Sequence, residues 1–141
     1  MANFDQLVRE QKAIRITPDP ILARGLLEDA TERLEASKEF LVRRPKLAFE
    51  SAYESVREGL EALMALYGYK TTSHEAAVSF LSRFPDFSDT EISEVDRLRV
   101  KRNDSKYYAA KIDPEEAKRD IRFLEGIFLQ VAKKITSKLK Q

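Results

Sequence analysis

Chemistry is concentrated in one short segment of the chain, residues 97–106, which carries five Lys or Arg residues and a single acid. Its local net charge is therefore +4, whereas the whole chain of 141 residues has a formal net charge of +1. Such a cluster attracts anions, and arginine suits phosphate in particular because its planar guanidinium donates two parallel hydrogen bonds. Basic runs are also common on solvated helix faces, so composition alone leaves both interpretations open.

Placing this segment on a helix separates its cations into different faces. At about 100° per residue, Arg102 projects beside Leu98 and Ser105, on the apolar side of the helix. A polar strip at this position borders the core and can line a groove that holds phosphate. The alternative is an ion pair between Arg102 and a carboxylate of the protein itself. We name this group of neighbouring side chains the basic strip: Arg99, Arg102, Asn103 and Lys106.

Two other groups of residues could carry chemistry. The one histidine, His74, follows a Thr-Thr-Ser run at the start of a predicted helix, where the helix dipole disfavours an imidazolium. We therefore interpret it as an ordinary surface or capping histidine, which could take part in the chemistry of the basic strip only if the fold brought it beside Arg102. A stripe of acids in an earlier predicted helix could bind a metal, but we expect it to face solvent or to neutralise the basic strip. Its members are Glu50, Glu54, Glu58 and Glu61.

Several classes of site are excluded by composition and motifs. The chain has no cysteine and one histidine, which leaves too few ligands for a typical zinc site. It contains no phosphate-binding glycine loop and no G-x-S-x-G nucleophile motif. We therefore expect no metal and no cofactor. No apolar run approaches the roughly 18 residues of a membrane span, and no apolar signal core is found, so we expect no membrane association and a cytoplasmic location.

The elements that position these residues are predicted to be helices. Apolar residues recur at spacings of three and four, and helix-start signals precede them, including S/T-x-x-E patterns at Thr72 and Ser88. The predicted helices cover 20–38, 45–68, 75–84, 91–108 and a long last segment from 114. The predicted fold class is thus all-α, an up-and-down bundle of about five helices. We expect one domain over 1–141, with 1–19 as an N-terminal segment before the bundle at 20–141.

The order of residues in the basic segment resembles the signature of HEPN domains. In that signature an arginine, followed by a polar residue that is often asparagine, precedes a histidine by four to six positions. Arg102 and Asn103 match it, whereas Tyr107 stands where the histidine is expected and Tyr108 follows. The resemblance extends diffusely over 20–139. It includes Ala48 to Gly68, Ser73-His74 and the Asp113-Pro114 start of the last helix.

The resemblance implies a HEPN-like helical bundle that forms a homodimer, with the motif at a shared cleft. Members of the family include metal-independent ribonucleases and non-catalytic relatives that bind nucleotides or a partner protein. Many are paired with a minimal nucleotidyltransferase protein as two halves of a toxin-antitoxin system. We therefore expect a nucleotide- or RNA-phosphate-binding protein of this kind. The expected ligand-binding residues combine the motif and the basic strip: Arg99, Arg102, Asn103, Lys106 and Tyr107.

Two alternatives remain open. In an active ribonuclease, the catalytic residues would be Arg102, Asn103 and Tyr107. Tyrosine, with an ordinary pKa of about 10, is a poor general base at neutral pH, so we expect weak or absent cleavage. The second alternative is a helical adaptor that binds a partner protein and neither nucleotide nor RNA.

Overall fold

The all-α prediction is confirmed by a computed structural model that describes all 141 residues. Helices account for 74% of the chain, and two short strands form the only sheet. A 3-10 turn over Phe80–Arg83 continues the fourth helix. The elements in chain order are α1 Phe4–Arg9, β1 Ala13–Arg15, α2 Pro20–Phe40, α3 Pro45–Leu66, β2 Tyr69–Thr71, α4 His74–Ser79, α5 Asp89–Tyr107 and α6 Pro114–Leu139.

The four long helices alternate in direction along the chain, as the up-and-down prediction requires. Helix α3 runs antiparallel to α2 and α5 and parallel to α6. Two contacts between each pair of helices show these directions. Helices α2 and α3 touch at Asp19–Ala65 and Arg33–Ser51, and α3 and α5 touch at Glu50–Ser105 and Tyr53–Arg102, so residue numbers rise along one helix as they fall along the other. Helices α3 and α6 touch at Gly59–Phe128 and Tyr67–Lys138, where the numbers rise together.

Helix α3 is the centre of the core. Of its 22 residues, 14 are buried, because α2, α5 and α6 all pack against it. The apolar spacing that predicted it places Phe49, Tyr53, Leu60 and Leu63 in the interior. Each such side chain contributes about 1.5–3 kcal/mol through removal of apolar surface from water. None of the helices is both long and apolar enough to cross a membrane.

The start of α4 differs from the prediction. Ser88 forms the expected capping box with Glu91 at the start of α5. Before α4, however, the cap is Ser73, whose hydroxyl accepts a hydrogen bond from the Ala76 amide, and not Thr72. The reason is that the preceding residues continue strand β2, where the Thr71 hydroxyl donates to the Lys12 carbonyl. The α-helix is shorter than predicted at its other end, because residues 80–83 form the 3-10 turn.

Residues 1–19 are packed into the bundle, which the sequence did not indicate. Phe4 and Leu7 are buried, and β1 pairs antiparallel with β2, with Arg15 opposite Tyr69. The chain enters β2 through Gly68, which has a φ of +82° and lies so close to the Ile16 carbonyl that a side chain would collide with it. This strand carries the chain from the end of α3 back to α4 and so fixes the place of α4.

Candidate functional site

A pocket of about 270 Å³ opens between the start of α4 and the second half of α5. We name it the α4–α5 pocket. Four of the five predicted ligand-binding residues line it, whereas Lys106 lies outside with its ammonium 5.6 Å from the centre of the Tyr107 ring. No carboxylate lines the pocket. Its lining consists of Thr72, His74, Arg99, Arg102, Asn103 and Tyr107.

Arg102 is the most deeply buried cation of the basic strip, with a side chain only 9% exposed. Its position confirms that the helical periodicity of α5 turns this residue toward the core. Its Nη2 lies 2.7 Å from Oε1 of Glu54 on α3, so the predicted alternative of an internal ion pair is also present. Its buried Nε has no hydrogen-bond partner in the protein. Glu54 Oε1, on the acceptor side of the same ion pair, also lacks a hydrogen bond, and both atoms are closed to solvent, so a ligand reaches Nε only if the pair rearranges.

Glu54 is held in place by a second arginine of its own helix. Nε and Nη2 of Arg57 donate to Glu54 Oε2 at 3.0 and 2.7 Å. Burial raises the pKa of the Glu54 carboxyl, but the hydrogen bonds from Arg57 and the charges of Arg57 and Arg102 lower it more, and the net pKa lies below its ordinary value. Glu54 therefore stays ionised and anchors Arg102 from the side of α3.

The acidic stripe divides between two roles. Glu54 faces Arg102, and Glu50 accepts a hydrogen bond of 2.8 Å from the Ser105 hydroxyl of α5. These two acids therefore contact α5, as expected for a stripe that neutralises the basic strip. Glu58 instead pairs with Arg33 of α2, which the sequence did not indicate.

His74 begins α4, as predicted, and the fold also brings it into the pocket beside Arg102, which the sequence did not indicate. It is half-buried at the first position of α4, and its ring stacks on Tyr53 at 6.0 Å between ring centres. Burial, and then the positive charges of Arg57 and Arg102, lower its pKa. The imidazole is therefore neutral at pH 7. No local signal could reveal this position, because His74 and Arg102 lie 28 residues apart and meet only through the fold.

The remaining lining residues leave the pocket rich in donors. Nε of Arg99 donates to Asp96 Oδ1 at 2.7 Å, which turns one edge of this guanidinium away and leaves its two Nη groups without a hydrogen bond. The side chain of Asn103 is exposed, and the ring of Tyr107, 64% exposed, stands at the pocket mouth. The arrangement offers guanidinium, imidazole, amide and hydroxyl groups to a ligand, which suits a group rich in hydrogen-bond acceptors.

Acid titration of the protein should report the Glu54 anchor. Because the folded-state pKa of Glu54 lies below its ordinary value of 4.5, its contribution to stability is present above that value and is lost as pH falls through the folded-state pKa. We expect Glu54→Gln to cost about 3 kcal/mol at pH 7, as removal of one partner from a buried pair does, and to cost less at about pH 3. Chemical denaturation at both pH values measures this. An equal cost at the two would contradict the ionised anchor.

The comparisons with known proteins add no family assignment. No protein-family model matches the chain, and no curated protein matches it significantly. The resemblance of residues 102–107 to the HEPN signature therefore stays a prediction.

Proposed function

We propose that this protein binds the phosphate of a nucleotide or of RNA in the α4–α5 pocket. The observation that carries the proposal is a pocket without carboxylates that is lined by two arginines, Arg99 and the largely buried Arg102. Phosphate oxygens are acceptors that match a guanidinium in both charge and geometry. The exposed ring of Tyr107 at the mouth can stack a base, a contact worth about 1–3 kcal/mol.

The salt dependence of binding tests this proposal. For a single strand, log K falls with log salt concentration by about 0.7 for each neutralised phosphate. We expect a slope between about −0.7 and about −1.4 for a short single-stranded RNA, since the pocket holds one phosphate and Lys106 lies nearby for a second. Fluorescence anisotropy at a series of salt concentrations measures it. Lys138→Ala, at the far end of α6, is the control and should leave both affinity and slope unchanged; absence of binding at low salt would contradict the proposal.

The proposal includes the HEPN resemblance and the partner that it implies. Two observations support the resemblance: the fold is a helical bundle, and Arg102 and Asn103 of the motif line one pocket. We propose a minimal nucleotidyltransferase protein as the second component of a toxin-antitoxin-type pair. The neighbouring genes, and co-purification with their products, test this part of the proposal.

Self-association through α5 is a further part of the proposal. Val100, Tyr107 and Tyr108 are 47%, 64% and 76% exposed, on the side of α5 that does not contact the bundle. Closed two-fold dimers are the commonest oligomers, and an apolar helix face of this kind suits one. We expect a dimer at micromolar concentration in sedimentation velocity. Val100→Glu should weaken the dimer at least tenfold, and a wild-type protein that stays monomeric at tens of micromolar would contradict a shared cleft.

A metal-independent ribonuclease is the second candidate function. The observation that favours it is His74, which brings an imidazole into the pocket although the motif itself has Tyr107 in place of histidine. An imidazole that is neutral at pH 7 is the usual proton acceptor in such reactions. Cleavage assays separate this candidate from binding alone.

A further inference from the structure

We infer that the α4–α5 pocket takes a terminal phosphate monoester, the 5′ or 3′ end of a nucleotide or short RNA, and that His74 is the residue that selects it. The inference rests on the proposed function, because it specifies which phosphate the pocket holds. A monoester has three terminal oxygens and a charge of about −1.5 to −2, whereas an internal phosphodiester has two free oxygens and a single charge.

The number of free donors in the pocket exceeds what a diester can use. Arg102 lines the pocket, and the two Nη groups of Arg99 make no hydrogen bond in the protein. The exposed amide of Asn103 adds a donor from the same helix. The carboxylates that balance these arginines, Glu54 and Asp96, do not line the pocket. All of these donors come from α5, so they reach a bound phosphate from one side.

His74 supplies a donor from the other side. Its Nδ1 lies 3.5 Å from the Tyr53 hydroxyl, which is buried and makes no other hydrogen bond. The hydroxyl can donate to Nδ1 or accept from it, and we infer the tautomer in which Tyr53 donates and the imidazole proton lies on Nε2. The imidazole of α4 then acts as a hydrogen-bond donor, like the groups on α5. Donors on two elements suit a group with three terminal oxygens better than a diester within a chain.

The size of the pocket agrees with an end group. Its volume of about 270 Å³ is below the roughly 300–1,000 Å³ of pockets that enclose a whole small molecule. A phosphate and part of its sugar fill such a space, and the base remains outside, against the exposed ring of Tyr107.

A dianion in this pocket also changes the charge balance around His74. The charged groups that face the imidazole are Glu54 and Arg57 from α3 and Arg99 and Arg102 from α5, and the arginines favour its neutral form. An opposite charge within about 4–6 Å raises the pKa of a histidine by about one unit or more. Because His74 is the only histidine of the chain, its imidazole resonance can be followed in the NMR spectrum of the intact protein.

The experiment compares three uridine dinucleotides that differ only at their ends, with a 5′-phosphate, a 3′-phosphate or two hydroxyls. We expect one of the phosphorylated forms to bind at least tenfold tighter than the hydroxyl form in calorimetry and to raise the His74 pKa by about one unit or more. His74→Gln should remove most of the tenfold preference, whereas the control Lys138→Ala, at the far end of α6, should leave the affinities for all three dinucleotides unchanged.

Each other outcome overturns the inference in a recognisable way. Equal affinity for all three dinucleotides would mean that the pocket holds an internal phosphodiester, and the proposed function would stand. Tighter binding of a phosphorylated form with an unchanged His74 pKa would place the end group elsewhere on the protein. If none of the three binds, the proposed function fails together with the inference.

Discussion

Arg102→Lys should lower the affinity for single-stranded RNA by about 10- to 100-fold while the protein stays folded. Lysine keeps a positive charge opposite Glu54, so the internal ion pair survives. It lacks the planar fork of arginine, which donates two parallel hydrogen bonds. A hydrogen bond to a charged group contributes about 1.5–3 kcal/mol, which corresponds to this range of affinity. Fluorescence anisotropy measures the affinity, and circular dichroism follows the fold.

Arg102→Lys tests the ligand contact better than Arg102→Ala does. Arg102→Ala would remove the partner of Glu54 as well as the ligand contact, and removal of one partner of a buried pair costs about 3–5 kcal/mol. The matched control is Arg97→Lys, because Arg97 belongs to the same basic segment but is half-exposed, pairs with Glu94 and does not line the pocket. Equal losses in the two lysine variants would mean that binding depends on the general charge of α5 and not on the pocket.

Purified protein should leave RNA uncut in the absence of metal, and Tyr107→His should create cleavage. Cleavage requires a base for the 2′-hydroxyl, and a well-placed acid or base contributes about 10²–10⁴ in rate. Neither candidate in the pocket is suited to act as that base. Tyr107 is a phenol, and in the tautomer that we infer for His74 the acceptor nitrogen Nδ1 faces the Tyr53 hydroxyl, 3.5 Å away.

Cleavage of RNA by the native protein would contradict this prediction. Metal-independent cleavage by the native protein, lost in both Tyr107→Phe and Arg102→Lys, would favour the ribonuclease over the binding protein. A parallel loss in His74→Gln would identify the imidazole as the base. Gel electrophoresis of labelled single-stranded and hairpin RNA, with a chelator present, provides the measurement.

The fold was largely predictable because its signals are local. The residues that specify each helix lie within that helix: apolar residues at helical spacing, and prolines at the helix start such as Pro20 and Pro114. The two strands escaped prediction because each has three residues and its partner lies more than 50 positions away. Alternation of apolar and polar residues over only three positions cannot be distinguished from the pattern of a turn.

The site was predictable on α5 and not beyond it. The helical periodicity of α5 places the Arg102 side chain toward the core. The same periodicity places Arg99 and Asn103 beside it, so that they line the same pocket. The contributions of α3 and α4 depend on how helices pack. The spacing of the acidic stripe predicted that it could neutralise the basic strip, but it did not indicate that Glu54 is the partner of Arg102. The arrival of His74 through strand β2 has no signature in residue spacing.

The position of bound phosphate on the protein tests the central claim most directly, because a second basic surface exists. Lys133, Lys134 and Lys138 line a larger cleft of about 420 Å³ at the end of α6. The contacts of α3 place that cleft about 20 Å from the α4–α5 pocket along the helix. Amide chemical-shift mapping with a 5′-phosphorylated dinucleotide distinguishes the two surfaces. We predict the largest shifts at residues 72–74 and 99–107; shifts confined to the end of α6 would contradict the assignment of the pocket.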